Sequence, residues 1–154
     1  MTSYTFDANI LINMERWYPR EHFASVWSNV EELITDGRAC ICGMVEEEIK
    51  RGTDDLHKWT RSIDEFVHPH TEQDYEIAAK ISTVHPDWVV EKQNAADPFI
   101  IAHAATEGSI LVTQETRKGP GVQGRNLKIP NVADEHGVTC INFFGLFKAE
   151  NWRF

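Results

Sequence analysis

Hydrophobic positions along the chain follow two different periodicities. In residues 22–35 apolar side chains recur at spacings of three and four, which is typical of an amphipathic helix, and Gly37 then provides a stop signal. Residues 4–6, 38–42 and 109–113 are instead short apolar runs of the length and composition of buried strands. This alternation of strands and helices predicts an α/β fold built on a mostly parallel sheet.

The same patterns assign the rest of the chain. Strands are predicted at residues 4–6, 38–42, 66–68, 109–113 and 138–141. Helices are predicted at residues 10–14, 22–35, 44–51, 56–63, 72–84, 98–107, 132–136 and 143–150. Thr71 is expected to cap the helix that follows it, with Asp74 completing a capping box. Residues 115–128 are glycine-rich and basic, and we expect them to form a loop.

Length and composition indicate one globular domain, residues 1–154. The chain has 154 residues, of which 42% are hydrophobic and 25% charged, and a chain of this size can bury about 70% of its unfolded surface. No apolar run approaches the roughly 20 residues of a membrane span. The first residues do not resemble a signal peptide, so we expect a cytoplasmic protein that acts without a membrane.

Cysteine usage also favours a reducing compartment. The three cysteines are Cys40, Cys42 and Cys140, an odd number that is a poor basis for disulfides. Their apolar surroundings favour buried thiols, and no further zinc ligands stand at a suitable spacing in the sequence. The pair His68 and His70 resembles a metal-binding pair only superficially.

The net charge of −9 argues against a protein that holds nucleic acid by positive charge alone. It suits a protein whose acids cluster around cations, or one that docks a basic partner. Charge by itself does not separate these two cases.

Four acids lie where a predicted strand ends or a predicted helix begins: Asp7, Glu48, Asp97 and Glu115. In parallel sheets, functional sites form beyond the carboxyl ends of the strands. Carboxylates that meet there repel one another unless a cation lies between them, and their hard oxygen ligands suit Mg²⁺ or Mn²⁺. The sequence therefore predicts a site for one or two divalent ions.

Each acid also has an ordinary structural explanation. Asp97 stands before Pro98 and could simply cap a helix, and Asp7 could cap the helix that follows it. Glu48 ends a run of three glutamates that could form a solvated helix face, and Glu115 could be an ordinary loop acid. Taken singly, none of the four positions demonstrates a site.

Taken together, these acids lie in four blocks that resemble the PIN domain, in particular the toxin-type (VapC-like) ribonucleases. The blocks are TFDANILI at 5–12, MVEEEIKRG at 44–52, ADPFIIAHA at 96–104 and ILVTQET at 110–116. The segment from Lys128 to Val132, followed by the segment from Val138 to Asn142, also resembles a PIN-like branch, the DUF4411 group. In the second block we assign Glu48, because Ile-Lys-Arg-Gly follows it, with Glu47 as the alternative.

The resemblance implies a three-layer α/β/α sandwich and a metal-dependent ribonuclease. Asp7, Glu48, Asp97 and Glu115 would bind Mg²⁺ or Mn²⁺ and carry catalysis. Asn9 would orient Asp7, and Thr113 would bond a carboxylate or a phosphate; these two could equally be a helix-start residue and a strand-end hydroxyl.

The implied partners are an RNA substrate, a protein antitoxin and a second copy of the chain in a homodimer. Two other functions stay open. A Mg²⁺-dependent phosphohydrolase with an aspartyl nucleophile usually has a second Asp where this chain has Asn9. A PIN-like module that binds without catalysis is the other.

Overall fold

The computed structural model describes residues 1–154 and contains one five-stranded sheet. Its strands are β1 (Tyr4–Phe6), β2 (Ala39–Cys42), β3 (Val67–His68), β4 (Ile110–Val112) and β5 (Cys140–Ile141). Their order is β3-β2-β1-β4-β5, and every pair of neighbours is parallel. The predicted α/β class and parallel sheet are confirmed.

Eight helices connect and cover the strands. They are α1 (Ala8–Trp17), α2 (Ala24–Thr35), α3 (Gly43–Lys50), α4 (Asp54–Ser62), α5 (Glu72–Val84), α6 (Asp97–Glu107), α7 (Ile129–Glu135) and α8 (Phe143–Ala149). None of them is both long enough and apolar enough to cross a membrane.

Buried side chains hold the sheet and helices together. A continuous cluster of 32 buried residues forms the core, and every residue of β1 and β2 is buried. Strands covered on both faces need apolar side chains on both, which explains why they appear in the sequence as continuous apolar runs. The amphipathic pattern of α2 likewise buries Val26, Val30 and Leu33.

Local signals set several helix boundaries. The Thr71 hydroxyl accepts a hydrogen bond from the Asp74 backbone amide at 3.1 Å, and the Asp74 carboxylate accepts one from the Thr71 amide, so the predicted capping box is present. Helix α6 ends at Gly108, whose φ of 66° is easily reached only without a side chain. The largest differences from the predicted boundaries are in two helices: α1 spans Ala8–Trp17 rather than residues 10–14, and α7 begins at Ile129 rather than 132.

The strand order makes the carboxyl end of the sheet, beside β1, the expected position of a functional site. The chain runs from β1 outward to β2 and β3 on one side, and β4 and β5 occupy the other side. The direction of winding therefore reverses at β1, and a crevice opens there beyond the carboxyl ends of the strands. Asp7 directly follows β1 in this crevice, and its backbone amide donates to the carbonyl of Val112 at 2.9 Å.

Candidate active site

Asp7 is buried at the carboxyl end of β1, with an exposure of 3%. It occupies the position before α1 but makes no capping hydrogen bond with its side chain. Its Oδ2 instead accepts hydrogen bonds from Asn9 Nδ2 at 2.9 Å and from Thr113 Oγ1 at 2.8 Å. The helix-cap explanation of Asp7 is therefore not what the structure shows, and two polar neighbours hold the carboxylate in place.

The environment of Asp7 disfavours its charged form. The pKa of Asp7 is raised to about 7, mainly by burial and also by the negative charges of Glu115 and Glu48, against the hydrogen bond from Thr113, which lowers it. A carboxyl group that ionises near neutral pH is common where a protein binds cations or transfers protons.

Asp97 is the first residue of α6 and is also buried, at 6% exposure. The capping position is occupied by Ala96, and no side-chain cap hydrogen bond is present. Burial, followed by the charges of Glu115, Asp7 and Glu48, raises the pKa of Asp97 to about 9, and only Lys128 opposes the shift. The alternative that Asp97 simply caps this helix is therefore not what the structure shows, and its carboxyl group lies close enough to Glu115, Asp7 and Glu48 to feel their charges.

The three adjacent glutamates of α3 occupy different environments. Glu46 is buried away from the crevice, where it forms an ion pair with Arg61 and lies 3.5 Å from His57 Nε2. Glu47 is exposed. Glu48 is half-buried, and burial and the charge of Glu115 raise its pKa, while Arg51 lowers it. Successive helical residues point about 100° apart, so only one of the three can face the crevice.

Glu115 closes the crevice from the loop after β4. One carboxylate oxygen accepts a hydrogen bond at 3.1 Å from the backbone amide of Ile129, at the start of α7. Its own amide donates to Thr113 Oγ1 at 3.1 Å. Burial raises the pKa of Glu115, against the hydrogen bond from Ile129 and the charge of Lys128.

The four predicted acids thus share one crevice and influence one another's ionisation. Their ligand atoms are nevertheless more widely spaced than a compact cage requires: neither group of three or more potential ligands within 4.8 Å of one another includes them. Such spacing fits Mg²⁺, which keeps several water molecules and is usually held directly by only one or two carboxylates. The donor set, all carboxylate and hydroxyl oxygen, is also the set that hard cations prefer.

Two cations near the acids were not among the predicted site residues. Lys128 lowers the pKa of Asp97 and of Glu115, and Arg51 lowers that of Glu48. The sequence signal for Arg51 was its position in the same block as Glu48, three residues further along the chain. Lys128 ends the basic 115–128 loop, and its distance from the acids depends on how that loop folds back, which the sequence does not specify.

The fold that carries this crevice is the PIN-domain fold, as three solved structures illustrate. VapBC2 from Rickettsia felis, bound to a DNA fragment from its promoter, is 14% identical with a TM-score of 0.56, covering 92% of this chain and 99% of that one. FitAcB from Neisseria gonorrhoeae is 18% identical with a TM-score of 0.53, covering 90% and 96%. A toxin–antitoxin complex from Klebsiella pneumoniae is 18% identical with a TM-score of 0.51, covering 78% and 92%. At such low identity these likenesses show the fold.

The family itself is shown by the sequence. Residues 4–154 match the family described as "Domain of unknown function (DUF4411)", and the chain belongs to that family. No curated protein matches the chain.

Proposed function

We propose that this protein is a metal-dependent endoribonuclease that acts as the toxin of a toxin–antitoxin pair. The observation that carries the proposal is the set of four acids, Asp7, Glu48, Asp97 and Glu115, gathered at the switch point of a PIN-type sheet with raised pKa values. Mg²⁺ or Mn²⁺ bound there would supply Lewis acidity and an activated water for phosphodiester hydrolysis.

The chain's own residues have distinct parts in this proposal. Asp7 and Asp97, the two most buried of these four acids, would bind the metal directly, while the less buried Glu48 and Glu115 would accept hydrogen bonds from its water ligands. Asn9 and Thr113 would keep Asp7 oriented through their hydrogen bonds to its Oδ2.

The RNA substrate would approach from the side of the 115–128 loop. Lys128, which already influences Asp97 and Glu115, would attract a backbone phosphate. Arg117 is less available for that task, since it donates two hydrogen bonds to the carboxylate of Asp134.

A protein antitoxin would cover the same crevice. Next to it lies an apolar depression of about 160 Å³, lined by Gln114 and by aromatic side chains that include Trp17 and Phe144. Trp17 and Phe144 are 67% and 62% exposed, and adjoining exposed aromatic side chains commonly mark a protein interface. We expect the antitoxin to place an apolar side chain there and a basic one over the acids. We also expect a homodimer, from family resemblance alone.

The test is cleavage of a fluorogenic RNA by the purified protein with Mg²⁺, Mn²⁺ or EDTA. Asp7→Asn should lower metal-dependent cleavage by at least about 100-fold, the scale expected if the ion contributes several kcal/mol to the transition state. The matched control is Asp36→Asn, which removes an exposed carboxylate at the end of α2, outside the crevice, and should cleave like the wild type. Equal activity in all three proteins, or cleavage that persists in EDTA, would refute the proposal.

The same purified proteins distinguish the two alternative functions. RNA binding without cleavage under every metal condition would indicate a non-catalytic module. Trapping of a phosphoryl group on Asp7 would indicate a phosphohydrolase, although Asn9 donates a hydrogen bond to Asp7 where such enzymes usually carry a second acid.

A further inference from the structure

A second group of metal-ligating side chains lies away from the acidic crevice, between the sheet and α6. It consists of Cys40 on β2, His68 at the end of β3, and His103 and Glu107 on α6. Each offers one ligand atom, and these four atoms all lie within 4.8 Å of one another. His103 is six residues beyond Asp97 on α6, which separates the two sites by about 9 Å along the helix axis.

The spacing of the ligand atoms is close to that of a tetrahedral zinc site. Cys40 Sγ lies 3.5 Å from His103 Nε2, and His103 Nε2 lies 3.2 Å from Glu107 Oε1. Glu107 Oε1 lies 2.7 Å from His68 Nδ1. Zinc bonds of about 2.0–2.3 Å at tetrahedral angles require ligand atoms roughly 3.3–3.7 Å apart. Of these three distances, only the one between His68 Nδ1 and Glu107 Oε1 needs a clear increase to reach this range.

The orientation of His103 also suits a metal ligand. Its Nδ1 lies 2.9 Å from Asp74 Oδ2, and both residues are buried, at 1% and 0% exposure. Asp74 Oδ2 also accepts a hydrogen bond from the Thr71 backbone amide at 3.3 Å, which is consistent with an acceptor role towards His103. With Asp74 accepting a hydrogen bond from Nδ1–H, the neutral His103 ring has a lone pair on Nε2 that faces Cys40 and Glu107. This carboxylate–histidine pairing is the usual support of a histidine that binds zinc.

In this tautomer two acceptors face each other. His103 Nε2 carries no proton, yet it lies 3.2 Å from a carboxylate oxygen of Glu107. Without an ion, Nε2 can accept a hydrogen bond from the Cys40 thiol at 3.5 Å. Its contact with the solvent-exposed carboxylate of Glu107 becomes attractive only through a second proton on His103 or a metal ion between the two atoms. The nearby thiol and the second imidazole are soft and borderline ligands, which favour zinc over Mg²⁺.

We propose that Cys40, His68, His103 and Glu107 bind one structural Zn²⁺ ion, with Asp74 supporting His103. Four protein ligands leave no open position for a substrate, which is the arrangement of structural rather than catalytic zinc. The ion would join β2, the edge strand β3 and the C-terminal half of α6, and so secure a two-residue edge strand. This assignment does not depend on the proposed nuclease activity.

The rival arrangement is a metal-free network in which a doubly protonated His103 lies between Asp74 and Glu107. Both arrangements use the same side chains, so stability changes alone would not separate them. Cys40 distinguishes the two arrangements, because its thiolate binds the ion in the metal site and has no such role in the metal-free network.

The test is metal analysis and Co²⁺ titration of full-length Asp97→Asn protein, in which the acidic crevice is weakened as a competing site. One equivalent of zinc should co-purify or rebind, raising the melting temperature by about 5–10 °C, as expected for an ion well above its dissociation constant. Co²⁺ should give an intense thiolate-to-metal charge-transfer band and the visible spectrum of a tetrahedral complex.

Two substitutions in that background test the ligands, and two control for them. Cys40→Ser should abolish the charge-transfer band. His68→Ala, at a partly exposed position that folding should tolerate, should lower zinc affinity by at least about tenfold. The controls are Cys140→Ser, another strand cysteine, and His85→Ala, which breaks another His–Glu pair 2.7 Å long.

The outcomes are distinct. Loss of metal in the two ligand variants, with retention in both controls, supports the site. Absence of zinc binding in the parent protein, or a cobalt spectrum unchanged by Cys40→Ser, overturns it and leaves the protonated histidine network.

Discussion

Replacing Asp97 with Asn should stabilise the metal-free protein, and increasingly so as the pH rises. The substitution keeps the size of the side chain and removes its charge. It should cost no helix cap, because Ala96 holds the capping position of α6 and the Asp97 side chain makes no cap hydrogen bond. The main effect should therefore come from the ionisation of a buried carboxyl group.

The size of the effect follows from the two pKa values of this group. Asp97 ionises at its ordinary pKa of 3.8 in the unfolded chain and at about 9 in the folded protein. Between these values the folded protein holds one proton more, so its stability falls as the pH rises, by about 1.4 kcal/mol per pH unit. Asn has no such proton. The advantage of the variant should grow by up to about 3 kcal/mol between about pH 5.5 and pH 7.5.

Urea unfolding in EDTA at several pH values measures this difference directly. Asp134→Asn is the control, because hydrogen bonding to Arg117 lowers the pKa of Asp134 and leaves that group ionised in both states over this range. Added Mn²⁺ should stabilise the wild type, which exchanges the proton for the ion, and should have little effect on Asp97→Asn.

A stability difference between Asp97→Asn and wild type that stays constant from about pH 5.5 to 7.5 would refute the reasoning. It would mean that Asp97 is already ionised in the folded protein, and that burial and its acidic neighbours do not hold its proton.

Four further substitutions test other parts of the structure. Glu48→Gln should lower metal-dependent RNA cleavage by at least about 100-fold. Glu46→Gln should cleave normally but melt at a lower temperature, because it weakens the ion pair of the buried Glu46 with Arg61. The opposite result would mean that Glu46 rather than Glu48 faces the crevice. Thr113→Val should shift the pH–rate profile of cleavage to higher pH, since it removes a hydrogen bond that lowers the pKa of Asp7, and an unmoved profile would exclude that role. Thr71→Ala should lower the free energy of unfolding by about 1 kcal/mol in urea without affecting cleavage, because its hydroxyl caps α5.

Much of the fold could be predicted from the sequence, because its signals are local. The apolar runs of β1, β2 and β4, the amphipathic pattern of α2 and the capping box at Thr71 each act within about a dozen residues. Local patterns of this kind survive in any tertiary context that buries the apolar face. The positions of Asp7 and Asp97 at element boundaries were visible for the same reason.

The roles of the acids depended on the tertiary structure. Whether Asp97 caps α6 or faces the crevice cannot be read from Asp-Pro, which suits either role; burial beside Glu115 and Asp7 decided it. The choice of Glu48 over its neighbours depends on the rotation of α3, which packing sets, and Glu46 was directed instead to Arg61.

The Cys-His-His-Glu cluster could be found only in three dimensions. Its ligands come from β2, β3 and α6, and Cys40 and His103 are 63 residues apart in the chain. No spacing rule covers such a set, because chain separation says nothing about distance once parallel strands and a crossover helix have packed together. The sequence by itself determined the elements and the acidic blocks, and the packing of α6 against the sheet decided which side chains meet.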